Sequence, residues 1–171
     1  CETFDADGNA HYKGHPEAGA RMAEEILHRL KYDNATIELV CRMIRYHDDR
    51  PQLSGRTVRR AMNRIGTENL PLLFEIKRAD ILAQSMYERE EKLEYVDTYE
   101  KFYKQILSQG DCVNKKDLAI NGKDLIAIGM KPGPQLGAVI DKLLELVMDD
   151  PAQNTKENLL VLAHKINTPF I

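Results

Sequence analysis

Three side chains capable of metal or acid–base chemistry, His15, His47 and Asp80, each fall near a helix end or inside a helix whose other inward positions are apolar. His47 lies seven residues after Val40 and three after Ile44, which places it on the apolar stripe of its segment. Asp80 lies four residues after Ile76 and seven after Leu73, so a carboxylate also lands on an apolar face. A buried ionised carboxylate is costly unless it is paired or bound to a metal. Two imidazoles and a carboxylate are reasonable ligands for a first-row divalent ion. The same placement also suits a satisfied core histidine and an aspartate paired with an arginine such as Arg78 or Arg45. No HxxxH pair shares one helix face, because Gly14 and Pro16 interrupt any helix common to His11 and His15.

Two further patterns point to phosphate. In Gly129-Met130-Lys131-Pro132-Gly133-Pro134, two glycines and two prolines make a tight turn ahead of a helix opening at Pro134. Free N–H groups around Gly133 and the positive end of the helix dipole would then face an anion, with Lys131 adding charge and Lys123 close by in Asn121-Gly122-Lys123. A rigid connector and a capped helix start explain the same residues equally well. Residues 42–64 hold seven arginines against Asp48 and Asp49, and Arg56, Arg59 and Arg60 form the densest part. Such a patch attracts phosphates even on a chain of net charge -3, although a solvated helix face would look alike. No Gly-Lys-Ser/Thr loop, nucleophile elbow or paired metal-binding aspartates on a strand occur, so no residue is assigned a catalytic role.

The elements that position these residues are expected to be helices. The chain has 171 residues, 43% hydrophobic and 6% aromatic, with no Trp, a balance that favours helices over strands. No apolar run reaches the ~18 residues of a membrane span, so a soluble, cytoplasmic protein without a membrane partner is expected. Cys1, Cys41 and Cys112 have neither disulfide-framework nor zinc spacing. A chain opening on Cys, with no leader, reads as a piece of a longer protein.

Ala18, Met22, Ile26 and Leu30 predict a first helix after Pro16. Asn34 caps a second, with Ile37, Val40, Cys41 and Ile44 inward. A short third helix carries Val58, Ala61, Met62 and Ile65, stops at Gly66 and turns its arginines mostly outward. Thr67 to Gln109 reads as one long helix or two nearly collinear ones, with Glu88 to Glu94 as a solvated face. Asn121, Pro134 and the pair Asn154/Glu157 open the remaining helices. No strand is expected. The boundary is placed at Gly110, giving a helical bundle over 1–109 and a small helical tail over 110–171.

Tyr12-Lys13-Gly14-His15-Pro16-Glu17-Ala18-Gly19-Ala20, Ile44-Arg45-Tyr46-His47-Asp48 and Lys77-Arg78-Ala79-Asp80-Ile81-Leu82-Ala83 together resemble the later part of the HD domain of some bacterial CCA-adding tRNA nucleotidyltransferases. Leu118 to Leu125 and Gly129 to Gly137 are similar to the RNA-binding C-terminal region of those enzymes. The resemblance implies an all-α chain: an HD-like bundle lacking its N-terminal part, then a tRNA-binding tail. It implies a parent that adds CMP and AMP to tRNA 3′ ends using Mg2+, CTP and ATP, with the nucleotidyltransferase head absent here. The part present would position tRNA through Lys123, Lys131 and Gly133, with Arg56, Arg59 and Arg60 second.

His15, His47 and Asp80 would be an incomplete HD-type metal set. No cofactor is expected on this piece, although a divalent ion at the HD site and a homo-oligomer both stay open. The alternative is an HD-type metal-dependent phosphohydrolase acting on phosphoesters.

Overall fold

Apolar spacing near 3.6 residues produces helices where the sequence places them. The computed structural model describes residues 2–4, 10–12 and 14–167. Its helices are α1 (His15–Arg29), α2 (Asn34–Tyr46), α3 (Gly55–Ile65), α4 (Leu70–Ala83), α5 (Arg89–Gln109), α6 (Gly122–Ala127), α7 (Pro134–Asp149) and α8 (Lys156–Asn167). The class is all-α in its architecture, with one correction. Glu2–Phe4 and Ala10–Tyr12 pair as an antiparallel two-stranded hairpin, with Thr3 opposite His11. Strands of three residues are too short for alternation to register in the sequence. The turn expected at Asp7-Gly8 lies outside the described residues.

The chain divides into two compact units that interleave in sequence. One comprises Cys1–Pro51 and Glu68–Asp97, the other Gln52–Thr67 and Thr98–Ile171. A cut at residue 110 therefore separates α3 from the segments with which it is grouped.

In the first unit α1 packs on α2. Ala20, Ile37 and Cys41 are buried there, with Leu27 and Ile44 against them. A Cβ on Gly19 would stand 3.3 Å from Ile44 Cγ2, so the missing side chain permits the close crossing. The expected stripe of α1 is corrected by this contact: Met22 and Leu30 are exposed, and the helix buries Ala20 instead. The cap of α2 is also corrected. Asp33, not Asn34, caps it by accepting from the Thr36 amide at 3.0 Å. On α4 the buried face is Leu70, Leu73, Phe74, Lys77 and Ile81.

The second unit is built on α7, whose Val139, Leu143, Leu144 and Val147 are buried among Leu125, Leu159 and Ala163. Asn121 caps α6 by accepting from the Lys123 amide, while Asp124 accepts from the Asn121 amide and from Lys156 Nζ. The Lys156 partner holds the Asp124 carboxyl below the usual range. Asn154 does not form the expected box with Glu157. Its side chain bridges the Ala119 amide and the Asp117 carbonyl, and Thr155 Oγ1 accepts from the Asn158 amide at the start of α8.

The arginines of α3 do not all face outward. Arg59 is 8% exposed, donating from Nε to the Met148 carbonyl at 2.7 Å and from Nη1 to Asp111 Oδ2 at 2.9 Å. A guanidinium supplies enough directed donors to satisfy both acceptors, which ties α3 to the end of α7.

Removing one partner of a buried pair strands the other charge. Arg59→Ala is expected to cost about 3–5 kcal/mol, read from the urea midpoint. Replacing the pair together, Arg59→Met with Asp111→Leu, should recover a large part of that loss. A single variant as stable as the parent would show that the pair holds nothing together.

Candidate functional site

The three metal candidates are brought around one cavity of the first unit. His15 opens α1, His47 follows the last turn of α2, and Asp80 lies in the last turn of α4. With Asp48 and Gln84 they line a space of about 340 Å³. His15 Nε2 stands 3.3 Å from His47 Nε2, and the rings meet edge to face at 71°. His47 Nδ1 is 2.7 Å from the Ile44 carbonyl. A carbonyl only accepts, so Nδ1 carries the hydrogen of that bond, and Nε2 is left facing His15.

Two imidazole nitrogens on one tetrahedral ion stand about 3.4 Å apart, so the pair has a ligand-like separation. The third ligand does not follow. Asp80 accepts from Gln84 Nε2 at 2.7 Å, and among the described residues no group of three His, Cys, Asp or Glu side chains is placed to hold a metal ion. The arginines suggested as partners for Asp80 are engaged elsewhere, Arg78 with Asp97 and Arg45 with Glu17. Asp80 needs neither, because it is only half-buried.

The charge buried on this face of α4 is Lys77, which the sequence did not single out. It is 4% exposed, and its ammonium donates to the His47 and Asp49 carbonyls, each at 2.7 Å. Those two bonds fix the chain where it leaves α2, and so fix His47. Burial pushes the Lys77 ammonium down to about 8, against the opposing pull of Asp49, Asp48 and Asp80. The signal was available: Lys77 is four residues before Ile81 and three after Phe74, squarely on the stripe.

The phosphate candidates lie in the second unit. Lys123, Lys131 and Gly133 are exposed, and among the described residues neither lysine side chain has an ion-pair partner. Gly133 has φ 148°, in the region that favours glycine, and it carries the chain into α7 through Pro134. Arg56 and Arg60 are exposed and both paired with Asp149. Arg59 is withdrawn from any phosphate surface by its burial against Asp111 and Met148.

Residues 17–163 match the family described as tRNA nucleotidyltransferase domain 2. The CC-adding tRNA nucleotidyltransferase of Thermus thermophilus is 31% identical over 144 residues, covering 83% of this chain and 31% of that enzyme. The chain therefore belongs to the tRNA nucleotidyltransferase domain 2 family, and it spans about a third of the length of this relative. No solved structure matches it at comparable significance. The phosphohydrolase alternative is not favoured by either match. Among the described residues no helix is long and apolar enough to cross a membrane.

Two measurements follow from the first unit. Below pH about 8 Lys77 is charged both folded and unfolded; between about 8 and 10.5 the folded chain releases its proton first, so the unfolded chain binds more protons and stability rises with pH. The thermal midpoint of the chain is expected to gain against that of Lys77→Met across this window. Parallel profiles would refute the buried-ammonium account. The purified chain is also expected to carry Mn, Ni and Fe well below one ion per chain, and a stoichiometric ion lost in His47→Ala would contradict this.

Proposed function

We propose that this chain is the tRNA-holding portion of a cytoplasmic CCA-adding type of tRNA nucleotidyltransferase, whose whole enzyme adds CMP and AMP to tRNA 3′ ends. The family match across residues 17–163 is the observation that carries this reading. Nucleotide transfer, with its Mg2+, CTP and ATP, is assigned to a part of the enzyme outside that segment. The second unit would grip tRNA by its backbone, as proteins that recognise folded RNA by shape usually do.

Lys131, two residues before the exposed Gly133, and Lys123 on α6 are the first contacts in this proposal. Their exposure without an ion-pair partner supports the assignment, since a lysine already neutralised gains less from a phosphate. Arg56 and Arg60 come second. His15, His47 and Asp80 are kept as a site for a divalent ion only if a ligand from elsewhere in the enzyme completes them.

The test is binding of tRNA to the chain at two salt concentrations. Each phosphate contact is expected to contribute about 0.7–0.9 to the slope of log affinity against log salt. Lys131→Glu should weaken binding by about tenfold at low salt and flatten that slope by close to one contact. His47→Ala should leave both unchanged. Affinity that ignores salt, or a Lys131→Glu chain that binds as tightly as the parent, would sink the proposal.

A further inference from the structure

One carboxylate in the second unit sits where helix stability would not put it. Asp149 is the last residue of α7, at the end of the helix dipole that favours cations. Two arginines one turn apart on α3 converge on its Oδ1: Arg56 Nε at 2.8 Å, and Arg60 through Nε at 3.1 Å and Nη2 at 2.9 Å. All three side chains are open to solvent, at 56% for Arg56, 46% for Arg60 and 30% for Asp149. Two guanidinium groups thus share a single anionic oxygen, leaving one positive charge uncompensated within the trio.

We propose that Arg56 and Arg60 form a clamp for an RNA backbone phosphate, and that Asp149 is its resident counter-ion, displaced when the phosphate enters. This rests on the tRNA-holding function proposed above. Like the carboxylate, a phosphodiester carries one negative charge over two oxygens, but it is not tethered to α7 and can sit with one oxygen toward each guanidinium, where both now point at Asp149 Oδ1. Exposed ion pairs are weak in water, so giving up the carboxylate costs little. The frame of the clamp stays in place during the exchange. Arg59, between the two clamp arginines, is anchored on the Met148 carbonyl and Asp111, which holds the end of α7 beside α3. Only the Asp149 side chain has to turn away.

The experiment measures tRNA binding by the full chain at two salt concentrations for the parent, Asp149→Asn and Glu145→Gln. Asp149→Asn is expected to bind about three- to tenfold more tightly at low salt, with a steeper salt dependence. Glu145→Gln removes the same charge one turn earlier on α7, where it faces Lys142, and should stay within about twofold of the parent. Arg56→Ala combined with Arg60→Ala should weaken binding and abolish the gain from Asp149→Asn. Asp149→Ser, compared with the parent by thermal midpoint, guards against a folding defect peculiar to one replacement.

A gain shared equally by Glu145→Gln would reduce the effect to bulk charge and overturn the clamp. So would a folded Asp149→Asn chain that binds no better than the parent. If the parent binds tRNA with dependence on Lys131 but not on Asp149, the clamp alone falls. If the parent binds no tRNA, the tRNA-holding function and the clamp fall together.

Discussion

Two cations are buried among the described residues, and each compact unit is arranged around the acceptors that one of them requires. Charge taken out of water must find directed oxygen atoms or lose its burial. Lys77 finds them in two backbone carbonyls about 30 residues away, which closes the end of α2 onto α4. Arg59 finds them in Asp111 and the Met148 carbonyl, which brings α3 to the end of α7. The apolar cores supply the area that drives burial. They do not say which helix belongs with which. The acceptors of Arg59 do, and they place a segment from the middle of the chain with its C-terminal helices.

This explains how much of the fold could be seen in the sequence. Helices follow from periodicity, and Pro16 and Pro134 mark first turns as expected. The third helix and its stop at Gly66 were legible for the same reason. Faces were less secure. On α4 the sequence favoured a stripe through Leu73, Ile76 and Asp80, whereas the structure buries Leu73, Phe74, Lys77 and Ile81. Lysine is seldom fully buried, and Lys77 is so because two backbone carbonyls accept from its ammonium. Arg59, which the sequence groups with the outward arginines, stands three residues before Met62 and next to Val58 on the buried side.

The candidate sites were legible to different depths. The sequence offers His15, His47 and Asp80 as one constellation, and the three line a common cavity, but the register through Leu73, Ile76 and Asp80 is not the face that α4 buries. What spacing could not show is that the two imidazoles would bond to each other while Asp80 turned to Gln84. Side-chain pairing across elements depends on fractions of an ångström in helix placement. A count along one helix carries no such information. In the second unit, the capped start at Asn121 and the turn at Gly133 were read correctly as local structure, because both depend on neighbours within three residues.

The contrast between buried and exposed cations separates two uses of the same residue types. Lys77 and Arg59 have their donors taken by carbonyls and by Asp111, and their removal from solvent makes them part of the frame. Lys123 and Lys131 are exposed, and Lys131 stands two residues before Gly133, whose φ few other residues adopt. Arg56 and Arg60 stand between these cases, exposed yet engaged with Asp149. The buried cations fix the helices, and the exposed ones are the charges that the proposed tRNA contacts would use. The proposed exchange at Asp149 would leave the contacts of Lys77 and Arg59 in place.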